Sequence, residues 1–311
     1  MKKLLSVVAV FAAAILLVAC GSKSKDATSK ATTHNFTDDR GKVVKVPNDL
    51  KKVVVQTFPD EAITLGMNVV GTDQWSFPDP YLSKKQKGDM VDLGAPMNAE
   101  KIAEVAPDLI VTIDKDKVAD YEKIAPTVYI EYNKVKGMDA KLDYFAKLFN
   151  AKAAEKKFLK TFDAKAAAYK AQLAKSGIKT SDSTISIIEL VGNKIYAYGN
   201  DWGRGGQALT RGLGFKQSSE MQAISDGDGW KELNVESLAD LSADYIFVDY
   251  AAADKSQYEA LTKNPVWSQI KAVKAKQVVT MDYNKVYYFG GPTASEKLMK
   301  VYADAIIKQT K

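Results

Sequence analysis

The side chains that most often run enzyme chemistry are scarce in this sequence. Among 311 residues there is one His, His34, and one Cys, Cys20. A nucleophile activated by imidazole needs a His placed beside it, and a catalytic zinc site usually draws on several. One His near the N-terminus supplies neither. Asp and Glu number 38, but none stands in a sequence setting that signals the raised pKa of a general acid. The residues therefore point to a binder, not an enzyme, with no cofactor and no metal site of its own.

Recognition chemistry is better represented. Lys194-Ile195-Tyr196-Ala197-Tyr198 reads as a strand carrying Tyr196 and Tyr198, and it runs into Gly199-Asn200-Asp201-Trp202-Gly203-Arg204-Gly205-Gly206. A flat ring and a fixed cation one residue apart suit a pocket rim that meets a polar ligand. Two other readings stay open here. Gly203, Gly205 and Ala208 fit the G-x-G-x-x-A dinucleotide pattern, and the glycines could simply make a tight turn around a core Trp202. Further aromatics fall where strands should end: Trp75 after Val69-Val70-Gly71, Tyr132 after Tyr129-Ile130-Glu131, and Tyr288 before Gly290-Gly291-Pro292. In open α/β sheets ligands bind beyond the carboxyl ends of strands, so these rings are expected to converge on one cleft.

The elements that must position them alternate between short apolar strands and amphipathic helices, the pattern of an α/β protein with parallel sheets. Strands are expected at Val53–Val55, Val69–Gly71, Leu109–Thr112 and Thr127–Ile130, then at Thr184–Ile188, Tyr245–Val248 and Val278–Met281. Between these groups, residues 138–149 and 151–174 repeat apolar positions at helical spacing without Pro or Gly. The second stretch makes a helix about 36 Å long at 1.5 Å per residue, a strut between two lobes. An internal repeat supports the division. Met97–Val111 aligns without a gap on Leu233–Phe247, with Asn98/Asn234, Glu100/Glu236, Ala103/Ala239, Asp108/Asp244 and Ile110/Ile246 identical. Each copy reads as an Asn N-cap, a short helix with Glu in its first turn, and a buried strand. The expected organisation is a lobe over 34–137, a helical segment over 138–176 and a second lobe over 177–311.

The N-terminus reads as an export signal. Met1-Lys2-Lys3 precedes an apolar run, Leu4 to Ala19, too short to span a bilayer comfortably. Leu17-Val18-Ala19-Cys20 resembles the bacterial lipobox, in which the Cys is acylated and becomes the first mature residue. Residues 1–19 are then a signal peptide, and polar residues 20–33 a flexible tether. The formal charge of +6 is scattered, with only three Arg in the chain and no basic stripe interleaved with aromatics, which argues against nucleic acid.

Taken together, Tyr196–Gly206, Ala125-Pro126-Thr127-Val128 with Tyr132, and Ala106–Ile110 are similar to the ferric hydroxamate (ferrichrome-type) binding lipoproteins of Gram-positive ABC iron transporters. The resemblance covers essentially the whole mature chain. It implies two Rossmann-like lobes joined by a single long helix, a monomer on the outer face of the cell membrane, and an iron(III)-hydroxamate siderophore held in a shallow cleft. By position it implies ligand contacts for Trp202, Arg204, Tyr196, Tyr132 and Tyr288, whereas Trp75 rests on the residue reading alone. It further implies that Glu100 and Glu236 engage Arg residues of an ABC permease, and that the siderophore supplies all six ligands to its iron. A lone cleft cation, Arg204, suits a neutral or weakly charged hydroxamate better than a multiply charged catecholate or citrate. Haem or a corrinoid in the same architecture is the alternative ligand class, followed by another class of siderophore.

Overall fold

The computed structural model describes residues 32–286 and 290–309. Cys20, the signal peptide and Tyr288 lie outside the described residues. Strands β1 (Thr33–Thr37) and β2 (Val43–Pro47) form an antiparallel hairpin. Thr33, read from the sequence as the end of the tether, is already in β1. His34 is the hairpin's anchor. Its Nδ1 lies 2.7 Å from Asn48 Oδ1 and its Nε2 lies 3.0 Å from the carbonyl oxygen of Leu148, at the end of the helix Met138–Leu148. The one imidazole thus has a structural task.

The first sheet contains β3 (Val53–Val55), β4 (Val69–Thr72), β5 (Val91–Asp92), β6 (Leu109–Thr112) and β7 (Thr127–Tyr129), in the order β5-β4-β3-β6-β7, all parallel. β3 is central and its three valines are buried, because each face of the sheet meets a separate apolar layer. Val54 and Ile110 pack with Leu93, Ile102 and Tyr121, while Val53, Val55 and Val111 pack with Leu142 and Phe145. Strands covered on both faces read as continuous apolar runs instead of alternating ones, which is why they stand out in the sequence.

The second sheet contains β8 (Thr184–Val191), β9 (Lys194–Tyr198), β10 (Lys216–Gln217), β11 (Trp230–Leu233), β12 (Tyr245–Tyr250) and β13 (Val278–Asp282), in the order β11-β9-β8-β12-β13, with β10 also on β8. It is mixed, correcting the expectation of parallel sheets throughout. β9 folds straight back on β8, and β11 runs antiparallel to β9. The cause is local: Gly192 and Asn193 take φ +56° and +65°, the paired left-handed residues that close a two-residue hairpin.

The helix Lys152–Lys175 lies between the two sheets in sequence. It buries Phe162, Ala166 and Leu173 along one narrow stripe and leaves most of its surface to solvent. The fold is therefore two α/β lobes joined by a long helix. A second helix, Pro292–Gln309, packs on that strut and also on the helix Pro59–Thr64 of the first lobe. Thr64 Oγ1 meets Thr293 Oγ1 at 3.0 Å, and the backbone N–H of Ala294 donates to Asp60 Oδ2 at 3.1 Å.

The repeat has a structural counterpart. Asn98 Oδ1 accepts the N–H of Lys101 at 3.0 Å, and Asn234 Oδ1 accepts that of Ser237 at 2.7 Å. The first copy continues as an α-helix, Ala99–Val105, and the second as a 3-10 turn, Glu236–Asp240. Asp108 and Asp244 also match in role. Asp108 accepts the N–H groups of Lys51 and Lys52 ahead of β3, and Asp244 accepts that of Thr184 at the start of β8. Each ties its own strand to the parallel neighbour.

Candidate ligand-binding cleft

Beyond Val55 the chain turns through Thr57, a β-branched residue held at φ +70°. Such a conformation persists only where the surroundings enforce it. Here Asp73, just past β4, enforces it. One carboxylate oxygen accepts the N–H of Thr57 at 2.6 Å and the hydroxyl of Ser76 at 3.0 Å; the other accepts the N–H groups of Trp75 and Ser76 at 3.0 and 3.1 Å. The same carboxylate therefore shapes two loops and presents Trp75, 57% exposed, at their rim.

These loops, with Ile113 after β6 and Tyr132 and Asn133 after β7, form one wall of a cavity of about 270 Å³. Asp201, Trp202, Gly203, Gly290 and Gly291 form the opposite wall. The cavity sits beyond the carboxyl ends of the first sheet's strands, where an open α/β sheet receives its ligand. Its apolar lining is a row of rings that crosses from lobe to lobe. Phe58 stacks on Tyr132 with centroids 6.1 Å apart, and Tyr132 meets Trp202 edge to face at 5.6 Å. Gly229, at φ +85°, backs the indole so closely that a Cβ there would lie 2.8 Å from Trp202 Cε3. Asp201 fixes the loop from the other side, accepting Gly137 N–H at 2.8 Å, Gln207 Nε2 at 3.0 Å and Lys141 Nζ at 3.3 Å.

The structure thus brings Trp75, Tyr132 and Trp202 to one cavity. It does not bring Arg204 or Tyr196 there. Arg204 is turned into the second lobe and is 2% exposed. Its Nε donates to Glu189 Oε2 at 2.8 Å, Nη1 to the carbonyl oxygen of Trp202 at 3.1 Å and Nη2 to the hydroxyl of Tyr198 at 3.1 Å. The physical reason lies on adjacent strands. Glu189 on β8 and Asp249 on β12 are register partners, both buried, and two neighbouring carboxylates there require a cation. Burial, and then the charge of Glu189, pushes Asp249 well above the ordinary carboxylate range, so it is held neutral beside a charged Glu189–Arg204 pair. Tyr196 is half-buried on β9, where its ring packs at 5.8 Å from that of Trp230.

Sequence reasoning missed the acidic floor of the cavity. Asp60, Glu61 and Asp79 line it and are each less than a tenth exposed. Burial raises all three. Glu61 and Asp79 are each pushed up to about 7, with the neighbouring Asp60 adding to the effect. This corrects the expectation that no carboxylate has a perturbing environment. A signal did exist: Phe58-Pro59-Asp60-Glu61 follows the buried valines of β3 after two intervening residues, at the end of a strand where ligands bind. Ser76 is the hydroxyl beside Asp73, yet the chain's one imidazole is elsewhere, so the cavity offers rings and carboxylates for binding and no His-based triad.

Residues 56–284 match the model of the family described as periplasmic binding protein. The chain belongs to the periplasmic binding proteins. The matched span holds every described lining residue of the cavity except Gly290 and Gly291. Among curated relatives, the iron(3+)-hydroxamate-binding proteins YxeB and FhuD of Bacillus subtilis are each 33% identical to it. The YxeB alignment covers 93% of this chain and 90% of the relative, and the FhuD alignment covers 94% of both. Among solved structures, the FhuD protein from S. pseudintermedius superposes with a TM-score of 0.76 at 26% identity, covering 90% of this chain and 99% of that one. FhuD2 from Staphylococcus aureus with bound ferrioxamine B gives 0.68 at 26% identity, covering 84% and 100%. Glu100 and Glu236 of this periplasmic binding protein are exposed, away from the cavity, at equivalent places in the repeat. No helix among the described residues is long and apolar enough to cross a membrane.

Proposed function

We propose that this protein is an extracytoplasmic lipoprotein that captures an iron(III)-hydroxamate siderophore in the cleft between its lobes and delivers it to an ABC permease. The observation that carries the reading is the ring row Phe58–Tyr132–Trp202, which spans the cleft in a chain one-third identical to two hydroxamate-binding relatives. A siderophore of this class wraps iron in six hydroxamate oxygens and turns its methylene skeleton outward. Rings from both lobes cover that skeleton, and the iron travels as cargo with no ligand from the protein. A cavity of about 270 Å³ is small for such pockets, so part of the complex stays at the mouth beside Trp75.

Arg204 acts in this reading as a positioning residue, holding the carbonyl of Trp202 while its charge serves Glu189. Tyr288 completes the ring set, as the family resemblance implies. Glu100 and Glu236 present carboxylates from the two repeats to the permease. Acylated Cys20 tethers a monomer to the outer face of the membrane, with lobes over 34–137 and 177–311. The test is titration of the protein with ferrichrome or ferrioxamine B while following Trp fluorescence. Trp202 and Trp75 line the cavity, so strong quenching is expected; no response at micromolar ligand overturns the proposal.

A further inference from the structure

Five carboxylates line the described part of the cavity, those of Asp60, Glu61, Asp73, Asp79 and Asp201, against the single ammonium of Lys141. Four have partners within the fold. Asp73 holds Thr57, Trp75 and Ser76; Asp60 accepts from Thr64 and Ala294; Asp201 accepts from Gly137, Lys141 and Gln207; and Asp79 accepts the N–H of Tyr81 at 2.7 Å. Glu61 is the exception. It is 6% exposed, and among the described residues its carboxylate accepts no hydrogen bond beyond its own N–H and enters no ion pair. The charges that act on it are those of Asp60, Asp79 and Lys141. The ammonium of Lys141 is shared with Asp201 at 3.3 Å.

A buried carboxylate left in this state is costly, and burial with Asp60 nearby pushes it up to about 7. A ligand that brings a positive charge to it relieves that cost, whereas an anionic ligand adds to it. In the sequence alone, Arg204 stands as a cleft cation and favours a neutral or weakly charged ligand. With Arg204 committed to Glu189, the sign of the lining reverses.

We infer that the cleft selects a positively charged ferric hydroxamate, one carrying a free primary ammonium on an arm, and that Glu61 receives that ammonium with Asp60 and Asp79 reinforcing the field. The inference rests on the hydroxamate reading and sharpens it. Docking of the ammonium converts Glu61 to its charged form and releases its proton to solvent, so the preference weakens as pH falls below about 7.

The experiment is calorimetric titration of the protein with three iron complexes of one chelator: ferrioxamine B, its neutral N-acetyl derivative and its anionic N-succinyl derivative. The ammonium complex is expected to bind about tenfold tighter than the acetyl complex, as for a charge-assisted hydrogen bond, with the succinyl complex weakest. Glu61→Gln should bring the first two within about twofold of each other, as should lowering wild type from about pH 8 to about pH 5.5. Equal binding of the ammonium and acetyl complexes by wild type overturns the inference and leaves the hydroxamate reading standing. Binding of none of the three defeats both.

Discussion

Replacing Arg204 with Met separates a structural role from a ligand contact. Met keeps an unbranched apolar stem and removes the guanidinium. Arg204 and Glu189 have side chains 3% exposed each, joined at 2.8 Å. Breaking such a buried pair by deleting one partner costs about 3–5 kcal/mol, because the remaining charge is stranded. Asp249 cannot relieve it. Its carboxyl is already held neutral by burial and by Glu189, and its Oδ1 has no hydrogen-bond partner among the described residues. At roughly 2–4 °C per kcal/mol for a large domain, the fall in Tm is on the order of 10 °C, read by calorimetry on the ligand-free protein. Adding Glu189→Gln removes the stranded charge and should restore more than half of the loss. Siderophore affinity should also fall, since Nη1 of Arg204 holds the backbone of Trp202. An Arg204→Met protein with wild-type Tm and weakened binding would refute the argument and return Arg204 to the ligand.

Gly229→Ala keeps every lining side chain but places a Cβ 2.8 Å from Trp202 Cε3, in a left-handed conformation that costs about 1–2 kcal/mol with a Cβ. Ligand affinity should drop several-fold, and unchanged affinity would show that the indole needs no such seat. For Asp249 the folded pKa lies above the unfolded value of 3.8, so the unfolded state gives up its proton first, and stability declines as pH rises beyond about 4. Asp249→Asn, which offers Glu189 an N–H without an ionisable proton, should raise Tm by an amount that grows with pH. Parallel Tm profiles for variant and wild type would reject that assignment. The double change Glu100→Ala with Glu236→Ala should leave siderophore binding intact and abolish uptake by cells, and normal transport would count against docking through the repeat.

Legibility in the sequence followed the range of the interactions. The central strands could be read because burial on both faces leaves uninterrupted runs such as Val53–Val55 and Tyr245–Val248. The strut could be read because 24 residues keep one periodicity. The return of β9 onto β8 was written in Gly192-Asn193, two residues that a scan for parallel strands passes over. Trp75 and Tyr132 are legible through a positional rule, since each follows a strand, and Trp202 through a ring set among glycines beside a cation. Arg204 was misplaced because its direction is set from afar. Glu189 and Asp249 arrive from 15 and 45 residues away along the chain, on strands whose pairing no local pattern reveals. The acidic floor failed for a related reason. Asp60 and Glu61 are adjacent, but Asp79 joins them from another loop, and Asp60 is held against the distant helix that begins at Pro292.

That helix has a mechanical consequence. One rod between two bodies allows bending and also twisting about its own axis. Pro292–Gln309 lies against the strut and is pinned through Ala294 and Thr293 to Asp60 and Thr64 of the opposite lobe. Two rods side by side resist torsion, so twisting one lobe against the other costs more than it would on the strut alone. Gly291, at the pinned end, approaches Asp60 so closely that a Cβ there would lie 2.3 Å from its carboxylate. The seam between the lobes and the floor of the cleft are then nearly the same place, and whatever settles on the carboxylates touches the contact that joins the two halves.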